Sequence, residues 1–282
     1  EDQLQNRSLP SITNALQGAT PNLNISTSYL GGEPGTPMDI NIRGVGTLTG
    51  GGGEPYVLVD GMPMDINNVD PDNVESISVL KDAAASAIYG ARAPYGVILI
   101  TTKQGKRGAR SKVEYSSSYL VAKPTTLPEG MSSMEAATAW NYAARNAGAR
   151  DVITGEWFDR IQAYANGEIT DELAEDPNRP GYYVFQQGNA NNDWRKIFYD
   201  HWTPRQKHNI SFSGGNEKTN YYVGAGYLNE EGIIEFGNED NKKYNITANV
   251  STDVADWITM DFNVKYMHQK ITRDKYSVAG QQ

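Results

Sequence analysis

Residues that could bind a metal or carry out catalysis are few in this chain, and their spacing matches no known site. The segment 65–75 is rich in oxygen ligands and could hold calcium, but it lacks the glycine at the sixth position of an EF-hand loop. Helix caps and Asx turns explain these acids better. The only histidines, His201, His208 and His268, show no metal-binding spacing. We therefore expect no resident metal or cofactor.

Phosphate binding and covalent catalysis also lack support. The glycine-rich segment 44–55, GVGTLTGGGGEP, has no Gly-Lys-Ser/Thr ending of a phosphate loop and no dinucleotide fingerprint. The chain contains no cysteine, which excludes thiol nucleophiles, thiolate metal sites and disulfides. No Ser/His/Asp set is suggested by spacing. We expect that the protein is not an enzyme.

Charge and hydropathy narrow the class of partner. The 282 residues carry a formal net charge of -9, whereas a nucleic-acid binder normally shows a basic stripe. No run of 18 apolar residues occurs, so the sequence predicts no transmembrane helix. The N-terminal ten residues also lack the apolar region of a signal peptide. We expect no nucleic-acid partner.

The second half of the chain shows the alternation of half-buried strands. In the segment 244–267, apolar residues alternate with polar ones on both sides of a short turn, which predicts a hairpin. Similar patterns near 113–121, 208–215 and 220–228 bring the number of alternating strands to five. Tight turns alternate with long connections, the longest being 123–206. This asymmetry is typical of an outer-membrane barrel. Alternation alone also fits a soluble β-rich protein.

The first half has the mixed pattern of a small α+β domain. A short helix is expected from Ser11 to Gly18, and strands in MDINIRGVGT and EPYVLVDGMPM. Asp70 followed by Pro71 predicts an N-cap with a short turn of helix, and an Ala-rich helix capped by Asp82 should end near Gly90. The run GVILITTK suits a strand buried on both faces.

Several motifs of this first half occur in one order and at one spacing: NALQGATPNLNI, NIRGVGT, PYVLVDGMPM and NVDPDNVESISVLKDAAASAIYGARAPYGVILITTK. Together they resemble the plug domain of SusC/RagA-type TonB-dependent outer-membrane transporters. The later segments NNDWRKIFY and WITMDFNVKYM resemble the first barrel strands of that type. Pro94 and Tyr95, and Asn22, depart from the family pattern at turns.

The resemblance implies an α+β plug domain followed by antiparallel transmembrane strands of a barrel with 22 strands. It implies a location in the outer membrane of a Gram-negative bacterium of the Bacteroidota type. The function implied is TonB-dependent import of an oligomer, either a glycan or a peptide. A SusD-type surface lipoprotein would form a lid, and TonB would act through a segment that is not in this chain.

Charged and turn residues of the plug are candidates for docking it in the barrel. Arg43, Lys81 and Arg92 could pair with plug acids or with carboxylates of the barrel wall, or could be solvated surface charges. Turn residues complete the set, which is Arg43, Gly44, Asp60, Gly61, Lys81 and Arg92.

Aromatic residues of the long connection are candidates for contacting the substrate, because aromatic faces stack on sugar rings and on peptide side chains. The candidates are Trp140, Trp157, Tyr182 and Tyr183. The alternative is that they form the small core of the loop itself.

We expect a plug domain over 1–105 and the first barrel strands over 106–282, with a long extracellular loop at about 123–206. The polar face of the last hairpin, including Asp261 and Lys265, should line the lumen, and its apolar face should meet lipid. The competing hypothesis is a soluble or cell-surface β-rich binding protein without transport activity.

Overall fold

The computed structural model describes residues 10–18, 23–27, 34–42, 53–81, 87–184, 188–199 and 202–273. The chain divides into two compact units, and each is described by itself. The first comprises Glu1–Ala122 together with Trp202–Gln282, and the second comprises Lys123–His201.

The N-terminal part of the first unit, called here the plug segment (10–105), is a small α+β fold. Helix α1 (Ile12–Leu16) precedes the antiparallel pair β1 (Leu23–Thr27) and β2 (Met38–Ile42). A second sheet has the order β4-β3-β6-β5. Its strands are β3 (Tyr56–Val59), β4 (Met62–Pro63), β5 (Val74–Leu80) and β6 (Val97–Thr102). Strands β3 and β6 are parallel, whereas β4 and β5 run antiparallel to their neighbours.

The caps and turns of the plug segment follow the sequence signals. Ser11 caps α1, and Gly18 follows the helix with φ 74°. Asp70 accepts a hydrogen bond from the backbone of Asp72 and caps the short 3₁₀ turn Pro71–Asn73, as predicted. A further 3₁₀ segment, Ala87–Arg92, is kinked at Gly90, and the first part of the predicted Ala-rich helix lies outside the described residues.

The core of the plug segment lies between α1 and the two sheets. Val97, Ile98 and Ile100 of β6 are almost fully buried, which confirms the prediction of a central strand covered on both faces. Each buried side chain of this size contributes about 1.5–3 kcal/mol. The cluster contains eleven buried residues: Ile12, Leu16, Leu23, Ile40, Ile42, Val59, Ile66, Val69, Val74, Ile98 and Ile100.

The remainder of the first unit is one antiparallel sheet of five strands, called here the wall sheet, with the order β13-β12-β11-β10-β7. Its strands are β7 (Lys112–Ala122), β10 (Thr203–Gly215), β11 (Thr219–Glu231), β12 (Asp240–Ala255) and β13 (Ile258–Thr272). The sheet is not closed into a barrel, since β7 and β13 pair only on one side within the described part of the chain.

The two faces of the wall sheet have the polarity expected of membrane strands. On β12, Thr247 and Asn249 are buried towards the plug segment, whereas Tyr244, Ile246 and Val254 point outward and are exposed. The outward apolar positions from 244 to 254 extend about 33 Å along the strand, at about 3.3 Å per residue. A tilt of about 40° reduces this to about 25 Å, the height of the lipid-facing band in outer-membrane barrels.

A row of rings crosses the outward face near one edge of this band. His208, Tyr227, Tyr244 and His268 are neighbours in register on β10 to β13. Their ring centroids are separated by 6.3, 5.1 and 6.4 Å in that order. Tyrosine at this level is typical of the membrane–water interface.

Connections at the two ends of the wall strands differ in length. At one end, residues 216–218 join β10 to β11 and residues 256–257 join β12 to β13. At the other end, called here the mouth side, residues 232–239 join β11 to β12. The longest connection, also on the mouth side, ends at Trp202 rather than near Gln206, because Thr203 already pairs with Ala122.

The second unit contains helices α2 (Ser133–Asn146), α3 (Gly155–Ala165) and α4 (Trp194–Tyr199). The two-residue strands β8 (Ala174–Glu175) and β9 (Tyr183–Val184) form a ribbon. Ser132 and Glu135 form a capping box at the start of α2.

In the described ranges, no helix is long and apolar enough to span a membrane.

Candidate functional site

The first contact between the plug segment and the wall sheet is centred on Asp60. Asp60 and Gly61 have φ values of 49° and 82° and form the two-residue turn between β3 and β4, as Asp-Gly pairs commonly do. The Asp60 Oδ2 atom lies 2.6 Å from Lys265 Nζ on β13, and each side chain is only 9% exposed. The N–H and the hydroxyl of Thr102 donate to the same carboxylate at 2.9 and 2.6 Å. One carboxylate therefore joins the centre of the plug segment to the wall.

Electrostatics favour the charged form of Asp60. Burial raises the pKa of Asp60, but the ion pair with Lys265 and the hydrogen bonds from Thr102 outweigh it and hold the pKa below its ordinary value. The ion pair is thus intact at neutral pH. Removing one partner of a buried pair is costly, because the other charge remains without compensation.

The second contact is the acidic turn that precedes β5. Lys207 Nζ on β10 lies 3.3 Å from Asp70 Oδ1 and 2.8 Å from Asp72 Oδ2. The Asn209 amide on the same strand also donates to Asp72. The side chains of Lys207 and Asp70 are 7% and 5% exposed. The acids considered above as calcium ligands are therefore used as a cap and as partners of a lysine. The described residues contain no group of three or more His, Asp or Glu residues that could hold a metal ion.

Amide and phenol groups extend this second contact. Tyr222 of β11 donates its hydroxyl to Asn73 Oδ1 at 2.8 Å. Asn73 Nδ2 in turn donates to Asn245 Oδ1 at 3.2 Å, and Asn245 Nδ2 donates to Asp70 Oδ2 at 2.7 Å. The turn is thus bonded to three adjacent wall strands, which fixes its position.

Two glycines of the wall make this close approach possible. A Cβ atom added at Gly224 would lie 2.3 Å from Asn73 Oδ1, and one added at Gly226 would lie 2.6 Å from Asp70 Oδ2. Both glycines are on the plug-facing side of β11. The Gly-Ala-Gly sequence of this strand therefore forms a notch that receives the acidic turn.

The third contact holds the end of β6. Asn249 Nδ2 donates to Thr102 Oγ1 at 2.7 Å and to the Lys103 carbonyl at 2.8 Å. Asn220 Nδ2 donates to the carbonyl of Gly105 at 2.6 Å. These bonds secure the chain where the plug segment passes into the wall sheet.

The three contacts together form a polar interface with a chemistry suited to holding and releasing a domain. Individual hydrogen bonds contribute about 0.5–1.5 kcal/mol, or about 1.5–3 kcal/mol when one partner is charged. Such contacts are able to break one at a time, whereas an apolar interface would have to expose its whole area together.

Comparison with known proteins identifies the type of protein to which this interface belongs. Residues 1–97 match the family model of the TonB-dependent receptor plug domain. The chain is 31% identical over 261 residues to the TonB-dependent receptor SusC of Bacteroides thetaiotaomicron, covering 88% of this chain and 22% of that protein. It is 32% identical over 241 residues to the TonB-dependent receptor P39 of Formosa agariphila, covering 84% and 20%.

A solved structure shows the same arrangement. The structure of the RagAB peptide transporter matches 98% of this chain and 30% of that chain, with 27% identity and a TM-score of 0.74. The chain belongs to the SusC/RagA type of TonB-dependent receptor. The plug domain, the antiparallel barrel strands and the outer-membrane location expected from the sequence are thereby confirmed. The chain spans about a fifth of the length of the curated relatives it matches.

The docking residues predicted from the sequence have different positions in this receptor. Asp60 and Gly61 belong to the first contact. There the plug segment supplies the acid and the wall supplies the lysine, whereas wall carboxylates were considered as partners for the basic plug residues. Lys81 directly follows β5 and is partly buried. Arg92 is exposed and has no ion pair with any residue that the structure describes. Arg43 and Gly44 lie outside the described residues.

The predicted substrate-contact aromatics all belong to the second unit. Trp140, Tyr182 and Tyr183 are exposed, whereas Trp157 is partly buried and donates its indole N–H to the Gly188 carbonyl at 3.0 Å. Only Trp157 therefore matches the alternative in which these residues form a loop core. The three exposed rings remain candidates for contact with a ligand.

Sequence reasoning missed most of the receptor's docking interface. It did not assign a docking role to Asp70, Asp72, Asn73, Lys207, Asn209, Asn245 or Asn249. One signal was available, since Lys207, Asn209, Asn245 and Asn249 occupy the polar face of strands whose other face is apolar. A second was the Gly-x-Gly spacing on β11, which permits close approach of another segment.

Proposed function

We propose that the protein imports an oligomeric nutrient, either a glycan or a peptide, across the bacterial outer membrane. The plug segment would gate the lumen, and TonB would supply the force. The observation that carries this proposal is the polarity of the wall sheet: its outward face is apolar, and its inward face holds the plug segment through ion pairs and amides.

The same observation disfavours a soluble binding protein. Phe262, Val264 and Tyr266 are exposed and occupy successive outward positions on β13. A soluble protein rarely leaves a contiguous apolar patch of this extent in water. In lipid these side chains need no further covering.

The proposal includes partners and a division of the chain. The relatives SusC and RagAB support a surface lipoprotein of the SusD type as a lid. We assign residues 1–105 to the plug domain and 106–282 to barrel strands, with the long connection outside the cell. Since the named relatives are receptors and transporters, we propose no enzymatic activity.

Uptake by cells tests the proposal. A strain lacking the gene, complemented with the full-length receptor or with an empty plasmid, would be given labelled peptide and glycan oligomers too large for diffusion through porins. We expect uptake of one class only with the receptor, and its loss on addition of an uncoupler, because TonB draws on the proton gradient. Equal uptake in both strains, or absence of the receptor from the outer-membrane fraction, would contradict the proposal.

A further inference from the structure

A polar cavity of about 340 Å³ lies between the plug segment and the mouth side of the wall sheet. This is within the usual size range of small-molecule sites but too small for a whole oligomer. The plug contributes the start of α1, the approach to β2 and the turn 65–68, and the wall contributes strands β10 to β13. None of the contacts described above uses this cavity.

Three buried polar atoms that line the cavity have no hydrogen-bond partner within the described part of the chain. They are Asn14 Oδ1, Thr36 Oγ1 and Arg205 Nε. Buried polar atoms in folded proteins are nearly always bonded, so an unbonded group of this kind indicates a missing partner. The Asn14 oxygen accepts hydrogen bonds, the Arg205 Nε–H donates one, and the Thr36 hydroxyl is able to do either. A peptide main chain offers both N–H donors and C=O acceptors to such a set.

The cavity also contains a lysine that forms no ion pair within the described part of the chain. Lys207 and Lys243 occupy the same inward row of the wall, each opposite Leu228 in the register. Lys207 is neutralised by Asp70 and Asp72, whereas no ion pair links Lys243 to any described residue. Lys243 is only partly exposed and lines the cavity.

The two carboxylates that line the cavity attract Lys243 without forming an ion pair with it, and each has nearer partners. Glu230 binds Arg205, and Asp65 accepts hydrogen bonds from the backbone and side chain of Asn67, both at 2.9 Å. Among the described lining residues, Lys243 is therefore the cation that has no ion pair. It would be matched by an anionic group that enters the cavity.

We propose that this cavity binds the carboxylate end of a peptide, with Lys243 as its partner. This assigns the substrate class and rests on the proposed import function. The described lining residues include no aromatic ring on which a sugar could stack, and a neutral glycan has no anionic group that could pair with Lys243. An extended peptide presents a terminal carboxylate and alternating N–H and C=O groups to the three unbonded atoms.

Binding to the full-length receptor in detergent tests the proposal. The probes are a pool of tetrapeptides randomised at every position with free carboxyl ends, the same pool amidated, maltotetraose and tetragalacturonic acid, with retention measured by native mass spectrometry. We expect the free-acid pool to bind about tenfold or more tightly than the amidated pool, which corresponds to about 1.4 kcal/mol.

The variant Lys243→Gln should remove this preference for the free acid. Lys242→Gln is the matched control, because Lys242 is the adjacent residue on the outward face, paired with Asp240 at 2.7 Å. Equal binding of the two peptide pools, an acid preference that survives Lys243→Gln, or retention of either glycan instead of peptides would overturn the proposal. Glycan retention would leave the import function standing, whereas receptor-independent uptake would refute that function itself.

Discussion

Neutralising Asp60 should loosen the plug, because among the described residues its carboxylate is the only ion-pair partner of Lys265. The variant Asp60→Asn keeps the size of the side chain and is able to accept the Thr102 N–H, but it leaves the Lys265 ammonium buried without an anion. Loss of one partner from a buried pair costs about 3–5 kcal/mol. We take about 3 kcal/mol, since part of the hydrogen bonding remains.

The opposite deletion should cost less. In Lys265→Met the Asp60 carboxylate keeps two donors from Thr102, at 2.9 and 2.6 Å. The double variant Asp60→Asn, Lys265→Met leaves no unpaired charge and should be less destabilised than Asp60→Asn alone. Plug stability should therefore be highest in wild type, lower in the double variant and in Lys265→Met, and lowest in Asp60→Asn.

Urea titration of the full-length receptor in planar bilayers measures this stability, because a displaced plug opens a large conductance. With a denaturant slope of about 1–3 kcal/mol per molar urea, a loss of about 3 kcal/mol lowers the midpoint by about 1–3 M. Asp261→Asn on the same strand is the control, since no ion pair of Asp261 occurs in the described residues. A midpoint for Asp60→Asn equal to that of wild type, or strictly additive effects in the double variant, would refute the reasoning.

Three further predictions concern the same interface and the outward face. Because the pKa of Asp60 is lowered in the folded protein, its stabilisation is complete above the unfolded value near 3.8 and is lost as pH falls through the lower folded value. The urea midpoint of wild type should thus fall as the pH drops below about 4, and Asp60→Asn should remove this part of the pH dependence. A midpoint of Asp60→Asn that depends on pH as that of wild type does would contradict this. Gly224→Ala should lower the midpoint by about 1 M or more, because the new Cβ would lie 2.3 Å from Asn73 Oδ1, and a midpoint like that of wild type would show that the notch is not needed. Phe262→Arg should reduce the folded receptor recovered from outer membranes, because Phe262 is 63% exposed on the outward face and arginine there costs about 2–4 kcal/mol at mid-depth; full recovery would mean that this face does not meet lipid.

The sequence predicted the elements of the plug and the polarity of the wall because both depend on local signals. The Asp60–Gly61 turn and the Asp70 cap are specified by two adjacent residues each. Likewise, the alternation in β12 and β13 assigns each side chain to a face without knowledge of any partner. These features could therefore be derived before any contact between distant segments was known.

The partners across the interface could not be predicted in the same way. Asp60 and Lys265 are distant in sequence, and their contact depends on how the plug segment docks and on the register of four consecutive strand pairs. The sequence indicated that Lys265 lines the lumen, but not which acid it meets. The predicted strand began near His208, so Lys207 was not recognised as a residue of the wall. Its partners, Asp70 and Asp72, lie in the plug segment and are distant in sequence.

The central claim is that the plug segment must leave its notch in the wall during transport, and a reversible tether tests it most directly. Asn73→Cys with Gly224→Cys places two thiols close together, because a Cβ at 224 would lie 2.3 Å from the Asn73 side chain. The 282 residues contain no other cysteine. Uptake by the oxidised double variant is compared with uptake by each single variant and by the reduced form. We predict that oxidation abolishes uptake and that reduction restores it, whereas undiminished uptake by the fully cross-linked receptor would contradict the account.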